Sequence, residues 1–156
     1  MMFNRYGGIT LSLFRIVVGL LFTFHGLATM FGVFGGHRGT GRAAELLAWP
    51  NWWAALIQLV CGALVMTGLF TRVAALLASG SMAYAYFVVH QPQDLLPLRN
   101  GGELAALFCW SFFLIAVLGP GTWALDALLR RPAEAHDQAG APAPAPAPLR
   151  RSARVD

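Results

Sequence analysis

An all-α fold is expected for this chain: an integral-membrane four-helix bundle with a short interfacial helix in the first loop. Three observations predict it. Of 156 residues, 57% are apolar and only 12% are charged, with a mean hydropathy of +0.59, whereas a soluble domain carries about a quarter charged residues to hydrate its surface. Four apolar stretches, at 10–34, 52–70, 73–89 and 103–119, approach the ~20 residues that cross a bilayer as helix, with ~17 tolerated. None of them alternates with period two, which argues against a barrel.

The N-terminus has a short basic start followed by an apolar run, as a secretory signal does. The run continues to Phe34 with no clean small-residue cleavage site, so it reads as a retained span. Only Thr71 and Arg72 separate the second and third stretches, which requires a tight antiparallel hairpin. One fused helix over 52–89 would strand Arg72 in lipid, at a cost of several kcal/mol. The fourth stretch then returns the chain to the side on which it began. Arg5, Arg15, Arg72, Arg130 and Arg131 flank spans on the terminal side, against Arg38, Arg42 and Arg99 on the other. That excess places the termini in the cytoplasm of a bacterial inner membrane, in a multi-pass topology.

The first loop is glycine-rich and then amphipathic around 43–49, with Trp49, Trp52 and Trp53 where an interfacial aromatic belt belongs. After the fourth span, GPGTWALDALLRR reads as a break and a second short interfacial helix. The membrane domain is therefore 1–131, and the Pro/Ala/Arg-rich stretch 132–156 is expected to be a disordered tail without chemistry.

Several function classes are excluded at this level. The net charge of +4 comes from 11 arginines with no lysine, and no basic stripe with interleaved aromatics lies outside the apolar stretches, so nucleic acid is not an expected partner. Cys61 and Cys109 each sit within an apolar stretch and form no CxxC pair, which makes them core residues rather than a redox couple. No HxxxH or HExxH spacing points to a metal.

Ionisable and amide groups inside spans are the best pointers to function, because hydrocarbon makes them costly. Arg15 lies six residues into the first span, where it can snorkel, hold structure or bind an anionic group. His25 lies about 13 Å below the outer end of that span, too deep to snorkel. Arg15, Gly19, Phe22 and Gly26 fall within about 60° of one another on a helical wheel, with His25 beside this stripe. The two glycines invite close approach by another helix. Gln58 lies about 9 Å below the outer start of the second span. His90 ends the third span, and Asn100 and Glu103 open the fourth. His25, Gln58, His90, Asn100 and Glu103 gather in the outer half from all four helices and define a candidate polar pocket, while Arg15 lies near the cytoplasmic end. His25 and Glu103 are candidate proton-relay residues, and Arg15, Gln58, His90 and Asn100 are candidate binding residues. A helix-dipole role competes for Glu103, and a neutral core histidine for His25.

RIVVGLLFTFHGLATMFG, ALVMTGLFTRVAALL, VVHQPQ…RNGGE and LGPGTWALD occur in that order and span about 11–129. In these segments the chain resembles the DoxX family of bacterial membrane proteins. The resemblance implies a four-helix inner-membrane protein tied to oxidoreductase chemistry. Relatives include a subunit of a thiosulfate:quinone oxidoreductase and a member that partners a superoxide dismutase and a sulfurtransferase. By position, the family's first-span arginine is Arg15, its HG pair is His25 and Gly26, and its NGGE is Asn100 to Glu103. Two positions depart from the family: Thr29 replaces the lysine of HGLxK, and Gln58 replaces a frequent glutamate. An amide forms hydrogen bonds but cannot move a proton by ionising.

The leading expectation is a redox-associated subunit that handles a quinone, with partner proteins supplying electrons, since the sequence carries no flavin, haem or iron–sulfur signature. A non-catalytic scaffold for redox or detoxification enzymes is the second reading, and a small-molecule transporter the third. The lipid bilayer is a partner in all three, and a homo-oligomer is compatible with each.

Overall fold

Helix α1 spans Phe3–Phe31 in the computed structural model, which describes residues 3–127. It ends short of Phe34 because Gly32 turns left-handed at φ 72° while its N–H still reaches Ala28 O at 3.0 Å. The helical element of the first loop is a single 3₁₀ turn at His37–Gly39. Residues 43–49, expected to be helical, form irregular chain and turns instead. Leu47 is left-handed at φ 62°, and Pro50 lacks the N–H that would carry a helix through.

Helix α2 spans Asn51–Thr67 and stops at Gly68. Gly68 has φ 77°, and both its own N–H and that of Leu69 fall on Leu64 O, at 2.9 and 3.0 Å. Phe70 is a second left-handed residue, at φ 47°. The hairpin is thus broken as expected, and helix α3 starts afresh at Thr71–Tyr84 with Arg72 exposed on its first turn. A π-helical segment, Ala85–His90, prolongs α3. The short helix α4, Pro97–Asn100, precedes α5, Glu103–Leu118. Tyr6–Phe31 and Thr71–His90 are long and apolar enough to cross a membrane, while Asn51–Thr67 and Glu103–Leu118 are shorter apolar helices. No strand occurs among the described residues. The expected tail from 132 onward, and the second interfacial helix beyond Ala127, lie outside the described residues.

The bundle has a terminal end, where the chain starts and the α2–α3 hairpin turns, and a loop end carrying the two long connections. Helix α1 packs chiefly on α2, and α3 on α5, with α2 and α3 joining the pairs; α1 and α5 touch sparsely. The glycine stripe of α1 makes the first contact. A methyl group on Gly26 would lie 2.5 Å from Leu59 N, and one on Gly19 would lie 2.6 Å from Met66 N. Gly62 of α2 answers from the other side, 2.8 Å from Thr23 N by the same measure. Where the bundle is surrounded by lipid, such close backbone packing replaces the hydrophobic effect as the force between helices. Phe22 fills the centre, fully buried, with ring centroids 4.6 Å from Phe112 and 5.2 Å from Phe108.

The terminal end is closed by two charged side chains. Arg15 is 1% exposed. Its Nε donates to Pro120 O at 2.9 Å and its Nη2 to Trp123 O at 2.5 Å. Its Nη1 donates to Met66 O at 2.7 Å and also to Val65 O. The last two acceptors are in the final turn of α2, where Val65 O also takes the Gly68 N–H at 3.1 Å and Met66 O lies past the last N–H of the helix ladder. Asp126, beyond α5, answers at the adjoining helix start. Its carboxylate accepts from Phe70 N at 2.9 Å, Thr71 N at 3.0 Å and the Thr71 hydroxyl at 2.9 Å. A cation thus sits at the negative end of α2 and an anion at the positive end of α3. Asp126 N–H returns a bond to Gly68 O at 2.9 Å. Ser12 Oγ accepts from Trp123 N at 3.0 Å, so the 120–126 strap also lies on α1.

Two predictions follow from this packing. Gly26→Val should lower stability by about 1–3 kcal/mol through overpacking against Leu59, while Gly7→Ala, with nothing within 4 Å, should not. Thermal unfolding in detergent compares them. Arg15→Met should cost about 3 kcal/mol or more by stranding the carbonyls it serves. Arg15→Lys should recover less than half of that, because one ammonium cannot span a fork of acceptors. Wild-type melting of Arg15→Lys would refute this structural assignment.

Candidate functional site

Because α1 and α5 part at the loop end, the bundle is open there. Two clefts occupy that half. One, of about 480 Å³, lies between α2, α3 and the first loop, with Trp49, Trp53 and Tyr84 on its wall. The other, of about 340 Å³, lies between α1, the π-helical segment and α5, with Phe22, Leu104 and Phe108 on its wall. Both volumes fall in the range of small-molecule sites, about 300–1,000 Å³. They share Thr29, His37, Gln58, Met82, Ala85 and His90, so the two clefts meet along one polar seam in mainly apolar surroundings.

Three polar residues reach the clefts by local structural causes. His25 lies beside the buried glycine stripe, not on it, and is therefore exposed to the second cleft, its ring edge-on to Phe108 at 5.8 Å and 86°. Gln58 is half-buried on α2, one residue before Leu59, on which Gly26 packs. Its Oε1 is withdrawn from solvent with no donor in range among the described residues, an omission worth about 1–3 kcal/mol in a protein interior. His90 closes the π-helical segment, where Gln91 N reaches back five residues to Tyr86 O at 2.9 Å. Such widened turns recur at functional sites.

His90 Nδ1 lies 2.9 Å from the backbone oxygen of Asn100. Since a carbonyl only accepts, Nδ1 carries the proton in that contact. Asn100 is itself fixed: its Nδ2 donates to Asp94 O at 2.7 Å and its Oδ1 accepts from Gly102 N at 2.7 Å. The NGG turn is therefore a device that orients His90.

The sequence-derived candidates separate into three groups. His25, Gln58 and His90 line one cleft together. Asn100 is buried behind them as a support. Arg15 is at the far, terminal end in the hydrogen-bonded knot, and Glu103 is exposed on the first turn of α5 and lines neither cleft. Glu103 complements the dipole of α5 from that position. No group of three metal-binding side chains occurs among the described residues. Cys61 is buried in the core and Cys109, half-buried, meets the Ser79 hydroxyl through its backbone oxygen at 2.9 Å.

Sequence reasoning missed His37, Met82 and Asp126. His37 reaches the seam from a loop whose path is set by positive-φ glycines, and no periodicity announces that. Asp126 was within sight, as the one acid of LGPGTWALD, a short step from the last span.

Comparison with known proteins agrees with the residue-level resemblance. No solved structure matches the chain. An uncharacterised protein of Haemophilus influenzae is 36% identical over 130 residues, covering 79% of this chain and 92% of the relative. Residues 10–91, which hold Arg15, His25, Gln58 and His90, match the DoxX family. The chain is a membrane protein of the DoxX family.

Proposed function

We propose that this protein binds an isoprenoid quinone or quinol in the paired clefts and serves as the quinone-facing subunit of a membrane oxidoreductase system. In this reading it lies in the bacterial inner membrane with cytoplasmic termini, following the arginine distribution, and partner proteins supply the electrons.

The observation that carries the reading is the seam itself. Gln58 and His90 present hydrogen-bonding groups between two apolar-walled clefts, and one of those groups, Gln58 Oε1, has no partner among the described residues. A ligand with polar ring oxygens and an apolar chain matches both kinds of surface. A bound quinone supplies two-electron, two-proton chemistry. The chain's own residues supply the rest. His90 and Gln58 orient the ring oxygens, Met82 and Phe108 exclude water, and His25 holds or releases a proton at its exposed imidazole. Asn100 acts through His90 as a positioning residue. Glu103, outside both clefts, has no part in binding.

Extraction of quinone from protein purified in nanodiscs tests the proposal. Wild type and Glu103→Gln should retain quinone above empty nanodiscs, whereas Gln58→Leu combined with His90→Ala should lose about 10-fold or more in occupancy. If quinone is absent from folded wild type while partner proteins co-purify unchanged, the protein is a scaffold and the quinone reading is wrong.

A further inference from the structure

The glycines at the helix contacts are explained by packing. A methyl group on Gly19, Gly26 or Gly62 would fall within 2.9 Å of backbone on the facing helix. Gly80 is different. It lies inside α3 without a positive φ, and an added methyl group would meet nothing within 4 Å among the described residues. Glycine at such a place forfeits the helical stability of alanine with no close approach in return. Gly7 is open in the same way but lines neither cleft, whereas Gly80 lines the larger one.

Position gives the missing side chain a consequence. The span Thr71–His90 has 20 residues, and Gly80 is at its middle, near the midplane of a bilayer that this span crosses. Gln58 stands nine residues before the end of α2 and Gly80 nine after the start of α3, so both lie about 13 Å from the hairpin. The buried Gln58 oxygen and the gap at Gly80 thus belong to one cleft at one depth. One turn to either side of the gap, Leu76 and Tyr84 line the same cleft and are exposed. At that depth an exposed side chain borders hydrocarbon, not water.

Resting on the quinone-binding reading above, we infer that Gly80 forms a lateral opening through which the isoprenoid tail of a ligand held at Gln58 and His90 passes into the core of the bilayer. The other exits suit a tail less. The second cleft opens beside the exposed imidazole of His25, and the loop end leads towards water. Lipid is as apolar as leucine, so the opening gives the tail room and adds little affinity of its own. The ligand is therefore drawn from the membrane pool, and tails of any length fit, because the portion beyond Gly80 stays in lipid.

Two quinones with the same ring test this, one bearing an isoprenoid tail and the other a methyl group in its place, each partitioned between protein-loaded and empty nanodiscs. Wild type should bind both within about threefold. Gly80→Phe should weaken the tailed quinone about 10-fold or more and leave the methyl-bearing one within about twofold. Gly80→Ala, whose methyl group enters open space, should bind both as wild type does. A tailed quinone carrying a diazirine beside its ring gives a second reading in wild type alone. Labelling that excess unlabelled quinone competes away should fall on residues 76–84. Competed labelling on α1 or α5, or full binding of the tailed quinone by Gly80→Phe, overturns the opening and leaves quinone binding intact. Loss of a co-purifying phospholipid from Gly80→Phe with the tailed quinone retained also overturns it, and assigns the gap to a lipid chain. Retention of both quinones by wild type only at the level of empty nanodiscs overturns both readings.

Discussion

A guanidinium buried among backbone carbonyls organises the terminal half of this protein. Arg15 takes acceptors from the last turn of α2 and from the strap beyond α5, and so holds three separate parts of the chain at one point. Burying a cation is costly unless nearly every N–H finds a partner, and here four of its contacts are to oxygen. The same geometry satisfies helix-end carbonyls that lipid could not solvate. Gly68 is part of the device, since a side chain there would meet Ala124 and Arg15 Nη1 within 2.9 Å. Asp126 extends it across the hairpin to the start of α3.

This closure explains where the bundle is open. With α1 bound to α2 through glycine contacts and to the strap through Arg15 and Ser12, α1 and α5 need not touch along their length. Phe22, Phe108 and Phe112 seal the middle, and the gap above them becomes a cleft. The two halves treat polar groups oppositely. At the terminal end the ionic groups are saturated and structural. At the loop end an amide oxygen is buried with no partner among the described residues, and an imidazole is oriented by a backbone carbonyl.

Much of the helical frame was legible in the sequence because it depends on local pattern. The wheel that grouped Arg15, Gly19, Phe22 and Gly26 identified the buried stripe, and the offset of His25 from it pointed to the bundle's edge or interior rather than open lipid. The Thr71–Arg72 interruption predicted the hairpin. Legibility fell where the partner is distant or is backbone. The acceptors of Arg15 are carbonyls 50 to 108 positions away, and a carbonyl leaves no mark in a sequence. Asn100 looked like a binding residue because it is polar and near a span; its actual partners are loop backbone atoms. Glu103 shared the depth of the cleft residues, but depth along a helix does not determine which way a side chain faces. Residues 43–49 carry an amphipathic pattern, yet a left-handed Leu47 and the following proline overrode it.

The sequence distance spanned by Arg15 also imposes an order on synthesis. When α1 leaves the ribosome its guanidinium is complete, but Val65 is still 50 residues away and Pro120 is 105 away. The first helix therefore enters the bilayer with a charge whose permanent partners have not yet been made. Lipid phosphates, water or the insertion machinery must serve it until the hairpin and then the strap arrive. A nascent chain that stops before Pro120 carries every membrane helix described here and still cannot complete the knot that joins them.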